Sequence, residues 1–174
     1  MNTNMNPENM SKYLDIAERT GAFKPRELNT LRETLIDCSN NKGREYLLVE
    51  EYRGGNPAGF SIFGELEWTD FSWEMYWLIV DPNFHGQGIG KKLLEYVEKI
   101  ILKESPHAVL IAETSSIKSY DSARLYYQKT GFTEVGRVPN YYDYDDDLVT
   151  FYKIIDRKNC TKSFEKTSEI ISNI

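Results

Sequence analysis

The sequence predicts a single mixed α/β (α+β) domain, a sheet flanked by helices with elements in the order ααβββαβαββ. Three features predict it. Leu93, Leu94, Val97, Ile100 and Ile101 recur at helical spacing. Strand-like runs separated by turn residues fill the stretch from Glu45 to Val80. At its end, LIVDPNFHGQGIGKKLL (78–94) joins an apolar strand to a glycine-rich turn that opens into a helix. With 174 residues, 40% hydrophobic and 13% aromatic, the chain can build one substantial core and is too short for two.

Each element has its own signal. Ser11 to Thr20 reads as a short helix ended by Gly21, and Pro25 to Cys38 as a second with proline in its first turn and an apolar stripe of Leu28, Leu31, Leu35 and Ile36. Glu45 to Tyr52 and Ala58 to Trp68 form a hairpin around the turn residues Arg53 to Pro57, and Ser72 to Val80 is a third strand. Gly90 to Lys103 is an amphipathic helix, broken before Pro106. Ala108 to Glu113 is an apolar run suited to a buried central strand. Ser119 to Thr130 is the last helix, with Gly131 as its left-handed cap. Phe132 to Arg137 and Val149 to Ile155 are strands joined by a long acidic loop.

The folded domain is expected over 10–156. Residues 1–9 are polar and Asn-rich, and 157–174 offer few core anchors, so both ends are expected to be loosely held. A net charge of −6 argues against a nucleic-acid partner. Cys38 and Cys160 lack metal-ligand spacing and read as free thiols, so no metal is expected. The chain has no secretory leader pattern and no apolar run approaching about 18 residues, which predicts a cytoplasmic protein without a membrane partner.

The glycine-rich junction is an anion site in its chemistry. Gly86, Gly88 and Gly90 allow backbone conformations that present several N–H groups to one ligand, and the helix that follows adds unpaired amides and its positive dipole end. The dinucleotide pattern G-x-G-x-x-G fails in both registers, at Lys91 and at Leu93. The G-x-x-x-x-G-K-[ST] phosphate loop fails at His85 and Lys92.

What remains is V-D-P-x-x-x-G-x-G-I-G-x-x-L-L from Val80 to Leu94, which resembles the acetyl-CoA segment of the GNAT N-acetyltransferases. Downstream, Ser122 to Phe132 is similar to the A-x-x-x-Y-x-x-x-G-F segment of the same family. The resemblance covers roughly Tyr46 to Ile155 and implies a mostly antiparallel sheet. It also implies acetyl-CoA as co-substrate: Leu78, Ile79 and Val80 as backbone partners of the pantetheine arm, His85, Gly86, Gln87, Gly88, Ile89, Gly90 and Lys91 around the pyrophosphate, and Tyr120 and Ser122 as further cofactor contacts. The family usually carries Arg or Gln where this chain has His85, and often Asn where it has Tyr120, for which stacking on the cofactor is the alternative to a hydrogen bond.

An amine acceptor has a pKa near 10.4 and must lose a proton before it attacks a thioester, while the leaving thiol has a pKa of about 8.5. The resemblance implies Tyr127 as the acid beside the sulfur, Glu74 as the base acting through water, and a backbone N–H near Ile79 or Val80 as oxyanion donor on a bulged strand. Tyr126, about 100° round the helix, is assigned to packing. Tyr127 alone also reads as a core aromatic and Glu74 as a solvated strand residue, and Glu113 is the rival base or a substrate ligand.

The resemblance implies a primary amine as acceptor, small or peptidic. Asn140 to Asp147 carries three tyrosines and four aspartates, and Tyr142, Asp145 and Asp146 suit a cationic amine, although the segment also reads as a solvated loop. Trp68, Phe71, Trp73, Tyr76 and Trp77 divide between cleft lining and strand packing. The expected activity is direct acetyl transfer in a ternary complex. The alternatives are a non-catalytic acyl-CoA-binding module and a nucleotide-dependent enzyme, the latter disfavoured by the failed registers. Exposed sheet edges also allow a homodimer.

Overall fold

The computed structural model describes residues 5–40 and 44–157. Helices α1 (Met10–Thr20) and α2 (Pro25–Ser39) precede strands β1 (Leu47–Arg53), β2 (Asn56–Glu65) and β3 (Ser72–Val80). Then follow α3 (Ile89–Glu104), β4 (His107–Ser115), α4 (Asp121–Lys129), β5 (Thr133–Asp143) and β6 (Asp146–Asp156). This is the predicted order. The strands form one sheet, β1-β2-β3-β4-β6-β5, antiparallel throughout except for the parallel β3–β4 pair.

Alternation along the strands sends neighbouring residues to opposite faces. Leu48 and Ile62 pack with α1 and α2 around Tyr13, Ile16, Leu31 and Leu35, whereas Val49 and Phe63 pack with α3 around Leu93, Val97 and Ile101. The α3 stripe is buried as the spacing predicts. In α2 the buried stripe runs Leu31, Thr34, Leu35 and Cys38, and Ile36 is turned outward. Burial pushes the Cys38 thiol up to about 12, in keeping with an inert core position.

Three expectations are corrected. Strand β2 ends at Glu65, because residues 66–71 turn back, with Leu66 N–H donating to the Ser72 carbonyl and Thr69 Oγ1 accepting from Ser72 N–H. The acidic segment is not a long loop. Strands β5 and β6 continue into it and close through Tyr144–Asp145, with Asn140 (φ 52) and Asp145 (φ 58) taking the left-handed conformations that Asn and Asp tolerate. Within 1–9, the described part is packed: Met5 is buried in the α1–α2 cluster and Asn9 Nδ2 donates to Tyr52 Oη at 2.7 Å. Residues 158–174, with Cys160, lie outside the described residues, while the Arg157 guanidinium donates to the Leu102 carbonyl. Among the described residues no helix is long and apolar enough to cross a membrane.

Asp81 ties this scaffold together where β3 ends. Its carboxylate accepts from Asn83 N–H at 3.0 Å, starting the turn, and from Arg19 Nη2 of α1 at 2.5 Å. Burial opposes its charge, but the Arg19 and Asn83 hydrogen bonds prevail and hold the carboxyl below its usual range. Asp81→Asn keeps the turn acceptor and removes the charge. With Arg19 half-exposed, it should lower unfolding free energy by about 1 kcal/mol at pH 7. A group with a depressed folded pKa stabilises above its unfolded value and loses that contribution as pH falls through the folded one. Urea denaturation should therefore show the gap at pH 7 and its disappearance below the ordinary aspartate range.

Candidate active site

The parallel β3–β4 pairing covers only Ser72–Met75 against Val109–Ala112. Beyond it, β3 pairs only with β2 and β4 only with β6, so the two strands part. The parting coincides with a bulge: Ile62 opposes Trp77 and Phe63 opposes Met75, which leaves Tyr76 as the extra residue. The bulge therefore lies before Ile79 and Val80, where the oxyanion donor was expected. A cleft of about 1230 Å³ opens between the strands and extends from the glycine loop to α2. Leu78, Ile79 and Val80 line it, with Ile79 buried in the cluster shared with α1 and α2.

At one end sits the glycine loop. Gly86 (φ 75) and Gly88 (φ 77) hold conformations that other residues resist, and a Cβ on either would meet nothing within 4 Å. Gly88 caps α3 without any side-chain cap, so the first-turn amides of Ile89, Gly90 and Lys91 are left for a ligand. Gly90 serves a different end: a Cβ there would lie 3.2 Å from the Tyr126 ring, whose hydroxyl donates to the Gly90 carbonyl at 2.9 Å. Tyr126 thus locks α4 onto the start of α3. His85 lines the cleft and its Nε2 donates to the Val80 carbonyl at 3.0 Å. Gln87 does not face the cleft; its amide donates to the Asn83 carbonyl.

The middle of the cleft holds the titratable groups. Tyr127 is 7% exposed, its ring 5.3 Å from both Phe132 and Phe151, and burial pushes its phenol up to about 12. Glu74 is raised above the usual glutamate range by burial first and by the charge of Glu113 second. Glu113 itself is exposed and accepts from Thr150 Oγ1 at 3.4 Å. Ser122 and Tyr142 also line the cleft.

Two acidic residues of the hairpin are placed elsewhere. Asp145 is exposed at its tip, with its N–H on Asn140 Oδ1. Asp146 is buried, accepting from Ser115 Oγ and facing Lys24 Nζ at 3.6 Å. Tyr120 lines the cleft, but its hydroxyl donates to Glu27 Oε1 at 2.7 Å. Of the aromatic run, Tyr76 and Trp77 line the cleft, Trp73 is core, and Trp68 and Phe71 are exposed.

The sequence model of the Acetyltransferase (GNAT) domain matches residues 42–134. The chain belongs to the GNAT acetyltransferase family. It is 35% identical over 107 residues to a [ribosomal protein bS18]-alanine N-acetyltransferase of Haemophilus influenzae, a match spanning 59% of this chain and 66% of that protein, just under two thirds of its length. Among solved structures, a GNAT-family protein from Desulfovibrio desulfuricans superposes with a TM-score of 0.77 at 24% identity, covering 86% of this chain and 94% of the other. An aminoglycoside 6′-N-acetyltransferase complexed with coenzyme A gives 0.66 at 18% identity, covering 86% and 92%. These likenesses show the GNAT fold.

The cleft fits the acetyl-CoA typical of a GNAT protein. Open glycines and an uncapped helix start suit a pyrophosphate, and the bare edge of β3 suits an amide-bearing arm. What the motifs did not reveal is the α2 side, where Phe23, Glu27, Thr30 and Thr34 line the cleft. Their signal was a polar stripe, Glu27-Thr30-Thr34, at helical spacing beside the apolar one. Because the Glu113 charge helps to raise Glu74, Glu113→Gln should move the Glu74 titration to lower pH. Carboxyl-carbon NMR should show that shift; an unmoved midpoint would mean that burial alone sets it.

Proposed function

We propose that this GNAT protein transfers the acetyl group of acetyl-CoA directly to a primary amine in a ternary complex. The observation that supports it most is that one cleft carries the uncapped glycine loop, Tyr127 and the Glu74–Glu113 pair together. Acetyl-CoA supplies an acyl group on a leaving thiol of pKa about 8.5. The edge of β3 that β4 leaves unpaired, from Tyr76 to Val80 apart from the Val80 carbonyl held by His85, binds the arm, and a backbone N–H of this stretch donates to the developing oxyanion. Gly86, Gly88, Ile89, Gly90 and Lys91 bind the pyrophosphate, His85 braces the loop against Val80, and Ser122 lies along the same wall.

Glu74 takes, through water, the proton that the amine gives up as its new N–C bond forms. A raised glutamate is the better base near neutral pH, because its pKa lies closer to the working range. Tyr127 donates its hydroxyl hydrogen bond to the sulfur as the C–S bond breaks. With its phenol near 12, complete proton transfer to a simple thiolate would be uphill by roughly 5 kcal/mol, so Tyr127 acts chiefly as a permanent donor. Glu113 and Tyr142 face the incoming amine, one with charge and the other with an aromatic surface. The relatives act on a ribosomal protein alanine in one case and an aminoglycoside in another, and both acceptors are amines.

Tyr127→Phe preserves the ring packing and removes the donor. Turnover with acetyl-CoA and a panel of primary amines should fall about 100-fold, while calorimetric affinity for acetyl-CoA stays within twofold and neither NADH nor ATP competes. Unchanged turnover would remove Tyr127 from the reaction, and binding without any acetylation would favour a non-catalytic acyl-CoA module.

A further inference from the structure

The acceptor half of the cleft is crossed by the first turn of α2. Glu27 makes two bonds at once: Oε2 accepts the Lys24 backbone N–H at 2.6 Å, closing the helix N-terminus, and Oε1 accepts the Tyr120 hydroxyl at 2.7 Å, reaching the segment before α4. Beside it, the Phe23 ring stands edge-on to Trp77 of β3 at 5.7 Å and to Tyr120 at 6.2 Å. On the other side, Arg26 Nη2 donates to the Tyr142 carbonyl of the β5–β6 hairpin at 3.0 Å, and Lys24 Nζ lies 3.6 Å from the buried Asp146. One helical turn is thus fastened to β3, to the β4–α4 connection and to the hairpin.

An extended peptide needs an open groove that lets its chain run on past the reacting amine. Here both flanks of the acceptor space are bridged, by Glu27–Tyr120 and by Arg26–Tyr142. The cleft it crosses carries the carboxylates of Glu74 and Glu113 as its acidic groups besides Glu27, with Tyr76 and Trp77 among its walls. Resting on the acetyltransferase reading, we infer that Tyr120, through its bond to Glu27, is a specificity-determining residue that restricts the acceptor to a small cationic amine and excludes the N-terminus of a longer peptide. Tyr120 itself lies within residues 42–134 matched by the GNAT domain, whereas its partners in the strap, Phe23 to Glu27 on the N-terminal side and Tyr142 in the C-terminal hairpin, lie outside them.

The test compares kcat/KM for a panel of small primary amines with that for a ten-residue peptide bearing a free N-terminal alanine. The wild type should favour the best small amine at least tenfold. Tyr120→Phe, which keeps the ring contact with Phe23, and Arg26→Ala, which frees the hairpin, should each raise the peptide-to-amine ratio at least fivefold. A purely structural role would lower both rates together and leave that ratio fixed. A wild type that prefers the peptide, or a ratio unmoved in both variants, would overturn the inference while leaving the acetyltransferase reading intact; acetylation of neither class would remove both.

Discussion

Parallel pairing between β3 and β4 ends after four residue pairs, and everything placed in the cleft depends on where it ends. Had the ladder continued, the edge of β3 from Tyr76 to Val80 would be spent on β4 and no ligand could reach it. The bulge at Tyr76 re-aims β3 just where the pairing stops. β4 stays fixed by its full antiparallel ladder with β6, from His107 to Ser115. The split is therefore held on one side by the bulged pairing of β3 with β2 and on the other by the unbroken pairing of β4 with β6.

Around that opening, each end of the cleft has its own electrostatics. The glycine loop and the start of α3 present backbone N–H groups, which suit an anion without any arginine. The acceptor end gathers Glu27, Glu74 and Glu113, of which Glu27 is committed to Lys24 and Tyr120, leaving two for an incoming cation. Between them burial raises the Tyr127 phenol to about 12, so its hydroxyl stays a neutral donor across the neutral pH range. This division suits a reaction that binds a polyanion at one end, accepts a proton at the other and loses a thiolate between them.

Much of this was legible in the chain because it rests on local rules. The α3 stripe, the glycine spacing and the Ala123-Tyr127-Gly131-Phe132 pattern each depend on neighbours within a few turns, and each stands where the sequence put it. The misreadings are non-local. Ile36 fits an apolar stripe by spacing, but the packing of Leu31, Leu35 and Cys38 into the cluster shared with α1 turns it outward. The run of aspartates reads as a solvated loop, yet Asn140 and Asp145 accept left-handed backbone and let β5 and β6 close as a hairpin. Asp146 pairs with Ser115 from a distant strand, and Tyr120 finds Glu27 across the cleft. No local pattern encodes these partners, because only the sheet brings them together.

Hydrogen–deuterium exchange of the whole chain with and without acetyl-CoA tests the central claim most directly, since it reads which amides the ligand covers. Protection should appear in residues 76–80 and 86–91 and be weak or absent in β1 and β5. Protection that leaves residues 76–80 unchanged would contradict the assignment of the strand split as the acetyl-CoA site.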